Sequence, residues 1–497
     1  MTQGVMADRE TAVIDIGSNS VRLVLFRIEG RALWPVFNEK TMAGLGRGAS
    51  QTGRLNPDGV ESAMRALKRF AILLDAKKVE RCHAVATAAV RDCADGPEFA
   101  ERVKRETGLS IEVLSGEEEG RRSALGVLAG LDGANGIVGD LGGSSVEFAR
   151  LSGNTAGRSI SLALGPLAMG AGDESPETVG PRIEPILATA KGMLEAPGEV
   201  FYAVGGAWRA IAYLDMALNN YPLKLLHQYE LSADRLMRTC AFAIGQSESS
   251  LASIPGVNAR RAGTLPYAAE LLTKIFKLGQ FKSIVFSAHG LREGVLCAHD
   301  LALLSRGHPL IAGAEALARM TGPDPAFGRA IDGFLAPVFE QEKPIFGAQR
   351  DVILRHAAAR LADLGARMHP DHRAELSLME TLYAPFVGVT HKERAFLALA
   401  MHHRYAGKKS LGEKHIVRRL LDENEVVGAL SLGLALRLAA ALSGRSARVL
   451  NAFELLREDE DLVLMPNGAM DEQLIVERAQ TRFSQLANAM GLNPRLK

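Results

Sequence analysis

Residues 12–23 read AVIDIGSNSVRL. An apolar run carries Asp15 at its end. The polar turn Gly17-Ser18-Asn19-Ser20 follows, and a second apolar run resumes through Arg22. A carboxylate at the end of a buried strand is costly unless something uses it. A glycine turn lets backbone N–H groups approach one point, and Ser and Asn side chains add donors, which makes a nest for an anion. Gly-Ser-Asn is also ordinary hairpin punctuation, so one such turn decides little. The decision comes from residues 136–151, GIVGDLGGSSVEFARL, where an apolar strand again ends in an aspartate, Asp140. The turn Gly142-Gly143-Ser144-Ser145 and another strand follow. Val13–Ser20 and Val138–Ser145 match in residue type at nearly every position. This is self-similarity at the scale of a domain. It predicts two related α/β lobes, each presenting a strand and turn to one cleft. A third turn, Gly205-Gly206, lies between the strand and helix of VFYAVGGAWRAIAYL (200–214). Three such turns in two lobes predict a phosphate held between them.

Working outward, NPDGVESAMRALKRFAILLDAKKV (56–79) predicts a helix capped by Asn56, with Pro57 in its first turn. RCHAVATAAVRD predicts a buried strand running into a polar turn. LSIEVLSG predicts another strand, with Ser115 capping the helix that opens at EEEGRRSALGVLAG. Residues 281–304 close the second lobe on the same strand-to-helix plan. After about Arg306 strand signals stop and helical spacing takes over, as in DVILRHAAARLADLGARM. The predicted division is an N-terminal α/β lobe at 1–133, a second at 134–305 and an all-α domain at 306–497.

Composition narrows the class. The chain has 497 residues, 47% of them hydrophobic and 23% charged, which suits two to four globular domains. A net charge of +1 excludes a globally basic nucleic-acid binder but leaves room for a local basic channel. Cys82, Cys93, Cys240 and Cys297 lie far apart with no CxxC. That spacing predicts neither disulfides nor a zinc knuckle and suits the cytoplasm. MTQGVMADRE does not read as a signal peptide, and no membrane span is expected from any apolar run.

Asp15 and Asp140 precede the phosphate turns and are candidate Mg²⁺ ligands, since Mg²⁺ takes oxygen donors and bridges to phosphate. Glu147, seven residues after Asp140, joins them or is a solvent-facing strand residue. SGEEEGRR (115–122) fits a capping box of Ser115 and Glu118, with acids at the positive end of a helix. Three consecutive glutamates exceed what capping needs. One of them, facing the cleft, is a candidate general base on water, and the residues alone do not choose which. Arg91 in ATAAVRD is a candidate phosphate clamp or a surface arginine. GLGRG (44–48) precedes no strand–helix unit of the right form and is expected to be a flexible loop.

Taken in order, VIDIGSNSVRL, ATAAVRD, SGEEEGR, GDLGGSSVE, AVGGAWRA and SAHGLREGV resemble the Ppx/GppA phosphatases, which comprise exopolyphosphatases and guanosine pentaphosphate phosphatases. The resemblance covers roughly residues 10–305. Beyond it, the chain is similar, through weaker motifs, to the helical HD-related extension of long exopolyphosphatases. The resemblance implies the duplicated ribonuclease-H-like architecture of the actin, sugar-kinase and Hsp70 type. It implies processive Mg²⁺-dependent release of orthophosphate from the end of inorganic polyphosphate. A monovalent cation such as K⁺ is a candidate activator, and a homodimer is expected. It assigns Glu119 as the catalytic carboxylate with Glu118 as a structural neighbour. It places Asp140 and Glu147 at the metal and water site, Gly17–Ser20 and Gly142–Ser145 at phosphate, Arg91 as clamp, and Arg22 at a substrate-contacting position.

This chain departs from the pattern at Ser144, where the family usually has a third glycine, and at Ala288 and His289. An HD phosphohydrolase needs an adjacent His-Asp pair, but here Ala362 precedes Asp363. His356, His402 and His403 are the nearby candidates, and no second phosphohydrolase is expected. HHRYAGKKSLGEKHIVRRL (402–420) concentrates Arg404, Lys408, Lys409, Lys414, Arg418 and Arg419. It reads either as a solvated helix face or as a basic path for a long polyanion. Guanosine pentaphosphate 5′-phosphatase, an ATP-dependent kinase using Gly205-Gly206 toward adenosine, and a non-catalytic sensor of polyphosphate or alarmone are the competing functions.

Overall fold

The structure is a computed structural model that describes residues 10–171, 176–321, 325–467 and 475–497. The segment read above for a signal peptide lies outside the described residues except at Glu10. Two compact units divide the chain, Met1–Arg306 and Gly307–Lys497.

In the first unit, the strands β1 (Glu10–Ile16), β2 (Val21–Glu29), β3 (Ala32–Thr41), β4 (Arg81–Ala86) and β5 (Ile111–Val113) form a sheet of order β3-β2-β1-β4-β5. β1 pairs antiparallel with β2 and parallel with β4. Then β6 (Gly136–Leu141), β7 (Val146–Ser152), β8 (Thr155–Leu162), β9 (Val200–Gly205), β10 (Tyr229–Ser232) and β11 (Ser283–Phe286) form a second sheet of order β10-β11-β9-β6-β7-β8. Apart from the extra edge strand β10, this is the same plan. The sequence repeat is therefore a repeat of topology, and both aspartates stand at the same strand end.

Alternation along the first hairpin assigns its two faces. Ala12, Ile14, Ile16, Val21, Leu23 and Leu25 pack on the helix Pro57–Ala76 side, with Met64, Leu67 and Phe70. Val13, Val24 and Phe26 face the opposite way. There they share a core with Val138, Ala149 and Val204 of the second sheet and with the helices Gly116–Gly130 and Leu291–His299. These helices cross where glycine permits it. A Cβ on Gly294 would lie 1.6 Å from the Arg122 carbonyl oxygen, and one on Gly126 would lie 1.9 Å from that of Gly290. The central helices thus run between the sheets and carry Glu119 and Arg292 toward the strand ends.

The second unit holds the helices Pro309–Thr321, Pro325–Phe339, Ala348–Leu361, Arg373–Tyr383, His391–Ala406, Glu423–Ser443 and Glu477–Met490. It departs from the all-α expectation in carrying a three-stranded sheet of β12 (Phe453–Glu458), β13 (Asp461–Pro466) and β14 (Asn493–Leu496). FELLRE and DLVLMP do not alternate apolar and polar residues, so they cannot be told from helix by pattern, and β14 contains Pro494. The expectation of no membrane-length apolar run also needs correction. Glu423–Ser443 has a window of mean hydropathy 1.8. Buried along most of its length, it contacts the helices His391–Ala406 and Glu477–Met490. That is the setting of a core helix, which passes the same hydropathy test.

Candidate active site

The two hairpins place their polar residues by register. Asp15 pairs across the strands with Arg22, and Asp140 pairs with Glu147. Directly opposed residues share a sheet face, so each hairpin offers two side chains to the same side. Arg22 and Glu147 are therefore equivalent positions, a cation in the first lobe and an acid in the second. Each turn is closed by the same bond: the Gly17 N–H donates to the Ser20 carbonyl at 3.0 Å, and the Gly142 N–H donates to that of Ser145 at 2.9 Å.

The turns also face one another. A Cβ on Gly143 would stand 3.3 Å from Ser18 Cβ and 3.7 Å from Asn19 Cβ. The loop expected to be flexible, residues 44–48, is instead fixed on the first turn. Gly46 N–H donates to the Ser18 carbonyl at 2.8 Å, and Gly44 N–H donates to that of Asn19 at 3.1 Å. A Cβ on Gly46 would fall 2.8 Å from Ser18 Cβ and 3.3 Å from Ser144 Oγ, so glycine allows the loop to cover both turns. Behind the second turn, Gly165 donates to Ser144 at 3.2 Å and Leu167 to Gly143 at 2.8 Å.

The three glutamates separate by helical geometry. Ser115 Oγ accepts the Glu118 N–H at 3.1 Å, as a cap should. The carboxylate of Glu118 does not complete the expected capping box. It accepts two 2.8 Å bonds from Arg121 and one of 2.8 Å from Arg122, and the bonds from Arg121 above all hold its pKa down to about 2. Glu117 is exposed. Glu119 alone is buried, and Arg91 Nη1 donates to its Oε2 at 3.0 Å. Arg91 stands on the short helix Ala88–Asp92 rather than in an open turn, and it also grips Asp92 and the Leu114 carbonyl.

Burial raises the Glu119 pKa well above the ordinary carboxylate range, and the neighbouring Glu147 and Asp140 push the same way against Arg91. Glu147 is 2% exposed and accepts a 2.7 Å bond from Ser161 Oγ. Burial pushes its pKa up to about 7 despite hydrogen bonds from Ser145 and Ser161. Burial likewise raises Asp140, which accepts a short hydrogen bond from Ser123 Oγ. Gly116 and Gly120 let the helix lie on this hairpin. Their Cβ atoms would stand 2.4 Å from Ser161 Cβ and 3.3 Å from Glu147 Cβ. Asp15 is engaged by Arg292 at 3.2 Å.

Facing these acids is a group of cations the sequence reading missed apart from Arg22. Burial lowers the Arg22 pKa to about 10, with Arg292 and Arg209 adding to the effect. Burial also lowers Arg209, and Arg292 and Arg261 are among its neighbours. Arg209 Nε is buried with no hydrogen-bond partner in the protein. The Arg261 guanidinium lies against Gly206, where a Cβ would come within 1.8 Å. That space beside Gly205-Gly206, the cue for an adenosine pocket, is filled by a cation. Opposed buried acids and buried arginines on either side of two donor-rich turns suit a multiply charged phosphate anion.

The carboxylates are a Mg²⁺-type donor set, all oxygen and mutually repelling. Among the described residues, no three acids, histidines or cysteines are arranged to hold a metal by themselves. Asp15, Asp140 and Glu147 are the carboxylates here whose oxygen donors would suit a Mg²⁺ ion, which often binds through one or two carboxylates.

In the second unit the candidates disperse. Asp363 meets Arg404 at 3.4 Å, His356 meets Asp332 at 2.9 Å, and His402 and His403 bond to the Lys409 and Gly407 carbonyls. Arg404 is buried under Tyr405, 4.7 Å from its ring centroid, and does not belong to a surface path. Lys408, Lys409, Lys414 and Arg419 are exposed, while Arg418 is partly buried and pairs with Glu423 at 2.8 Å. They sit on a loop after the helix His391–Ala406, not on a helix face.

Fold and site together define a two-lobed, actin-like α/β enzyme built around an anion cleft. Residues 6–302 match the Ppx/GppA phosphatase family and residues 310–496 match the exopolyphosphatase C-terminal family. The chain belongs to the Ppx/GppA phosphatase family and is an enzyme of phosphoanhydride bonds. It is 26% identical to a guanosine-5′-triphosphate,3′-diphosphate pyrophosphatase of Aeromonas hydrophila, over 95% of each chain. It is 27% identical to exopolyphosphatase 2 of Mycobacterium tuberculosis, over 58% of this chain and 98% of that one. The crystal structure of the Aquifex aeolicus family member is 29% identical, with a TM-score of 0.52, covering 59% of this chain and 98% of that one.

Proposed function

We propose that the chain is an exopolyphosphatase that removes the terminal phosphate of inorganic polyphosphate. The observation that carries the reading is Glu119: buried, held by Arg91, raised in pKa, and placed by its helix near Asp140 and Glu147. A carboxylate with a raised pKa is suited to accept a proton near neutral pH. The terminal phosphoryl group lies in the backbone donors of Gly17–Ser20 and Gly142–Ser145. Water attacks its phosphorus, and Glu119 takes the proton. The bridging P–O bond breaks, and the shortened chain leaves with the electron pair. Arg22, Arg209 and Arg292 stabilise charge on the phosphate oxygens. Mg²⁺, held through Asp140 and Glu147 with Asp15 nearby, would neutralise phosphate charge.

Two features support polyphosphate: the match of residues 310–496 to the exopolyphosphatase C-terminal family, and the exposed basic loop with Lys408, Lys409, Lys414 and Arg419. Such a loop gathers a polyanion in a salt-dependent way. The second reading, guanosine pentaphosphate 5′-phosphatase, is favoured by the relative from Aeromonas hydrophila, whose similarity runs along 95% of both chains. Orthophosphate release from long-chain polyphosphate and from guanosine pentaphosphate, assayed in parallel with Mg²⁺, separates them. A kcat/KM at least about tenfold higher on polyphosphate is expected, equivalent to about 1.4 kcal/mol of transition-state preference. The opposite preference establishes the nucleotide phosphatase.

A further inference from the structure

The second unit contains a cavity of about 620 Å³ that the chemistry above does not use. It lies among the helices Arg373–Tyr383, His391–Ala406, Glu423–Ser443 and Glu477–Met490 and the segment after Leu361. Six arginines line it: Arg373, Arg404, Arg437, Arg445, Arg478 and Arg482. Among the described residues, the one acid in the lining is Asp363. The exposed loop with Lys408, Lys409 and Lys414 contributes nothing to its wall.

The arginines are graded from floor to rim. Arg404 is 8% exposed, and its Nε has no hydrogen-bond partner. One of its other nitrogens reaches Asp363 at 3.4 Å, and its guanidinium stacks on Tyr405. The Nε atoms of Arg373 and Arg437 are also buried and unpartnered, as is Asp363 Oδ2. Arg437 donates to the Tyr405 carbonyl at 2.5 Å, and Arg482 donates to that of Arg437 at 3.4 Å. These contacts fix the guanidinium groups while leaving donors free. At the rim, Arg445 and Arg478 are exposed, and among the described residues neither has a side-chain hydrogen bond or ion pair.

Burying cations together is unfavourable unless an opposite charge compensates. Among the described residues, the lining offers a single carboxylate to compensate them. The mutual repulsion shows in Arg482, whose pKa is lowered to about 10 by burial and by Arg437, Arg478 and Arg404. Burial, Arg404 and Arg478 lower that of Arg437 in the same way. Planar guanidinium donors recognise phosphate oxygens in pairs. The volume falls within the roughly 300–1,000 Å³ of small-ligand sites.

We propose that this cavity is a second anion site, separate from the catalytic cleft, that binds a compact oligophosphate with three or more negative charges. The shared chemistry is a phosphoanhydride group, whether it comes from a short inorganic chain or from a nucleotide. Arg404 and Arg437 meet its inner phosphate oxygens, and Arg445 and Arg478 close over the outer ones.

The test uses the full chain with Glu119→Gln, so that ligand is not consumed, titrated calorimetrically with tripolyphosphate and separately with guanosine 5′-triphosphate. The same titrations are made after Arg445→Glu and Arg478→Glu are added, with the melting temperature and circular dichroism checking the fold. Two saturable sites are expected in the first protein. In the second, one site weakens by about 10²-fold or more, as loss of two charge-assisted contacts requires, and the other is unchanged. A second site seen with tripolyphosphate identifies the inorganic source, and one seen with the nucleotide alone identifies the nucleotide. A single site in the first protein, or two sites that both survive the charge reversals, overturns the proposal.

Discussion

Glu119→Gln lowers kcat for orthophosphate release by about 10²–10⁴-fold, the range that removal of a positioned general base covers, and changes KM little. Glutamine keeps the size of the side chain and an oxygen able to accept from Arg91, which donates to Oε2 at 3.0 Å. It loses the ability to take a proton from water. The phosphate turns use backbone groups of other segments and stay intact. The expected signature is a loss confined to the chemical step, read by steady-state kinetics over a range of polyphosphate concentration. A comparable loss in Glu118→Gln would show that the triplet acts as a charge cluster. The account expects Glu118→Gln to retain most activity, because its carboxylate is committed to Arg121 and Arg122.

Glu147→Gln has two opposite effects. Activity falls by about 10²-fold, since a carboxylate proposed to hold Mg²⁺ is lost. Stability rises at neutral and alkaline pH. The pKa of Glu147 is raised from the unfolded value to about 7, so the folded state holds its proton to higher pH than the unfolded chain does. The contribution of such a group is fully present below the unfolded value. It is lost as pH rises through about 7. Measured without added metal, the variant should melt several degrees above wild type at pH 8 and nearly with it at pH 5, in line with roughly 2–4 °C per kcal/mol for large domains. Glu119 is coupled to the same charge. Removing Glu147 lets Glu119 ionise more easily, so the acid limb of the residual pH–rate profile moves to lower pH. A profile that stays in place, or a lower melting temperature at pH 8, contradicts the electrostatic account. It is the stability cost that activity exacts at a site of opposed acids.

Much of this site was legible because it is local. The strand, aspartate and turn lie within a few residues of one another, and the second copy at Asp140 excluded accident. Ser115 and Asn56 announce helix starts through their own side chains, and both accept the bonds expected of them. The choice among Glu117, Glu118 and Glu119 was not legible without family resemblance, because it depends on which face of one helical turn meets β7 and β8. The turn pattern did not disclose Ser123 and Ser161, which hold Asp140 and Glu147, or Arg209, Arg261 and Arg292. Ser161 comes from the next strand, β8, and the others come from helices that return to the cleft from other parts of the chain. The GLGRG loop failed for a related reason: its central glycine, Gly46, answers to a close approach by Ser18 and Ser144, not to a strand–helix unit. Arg404 was grouped with its basic neighbours by sequence distance, yet the helix His391–Ala406 turns it inward while the chain past Gly407 leaves for solvent.

The central claim is that water is added to the terminal phosphorus in the cleft between the two turns. The most direct measurement is hydrolysis of long-chain polyphosphate in ¹⁸O-water with Mg²⁺, with mass analysis of the released orthophosphate and the remaining chain ends. The account predicts one solvent oxygen in each orthophosphate released and none in the chain. Solvent oxygen appearing at the chain ends, or orthophosphate without it, would contradict attack at the terminal phosphorus and the role given to Glu119.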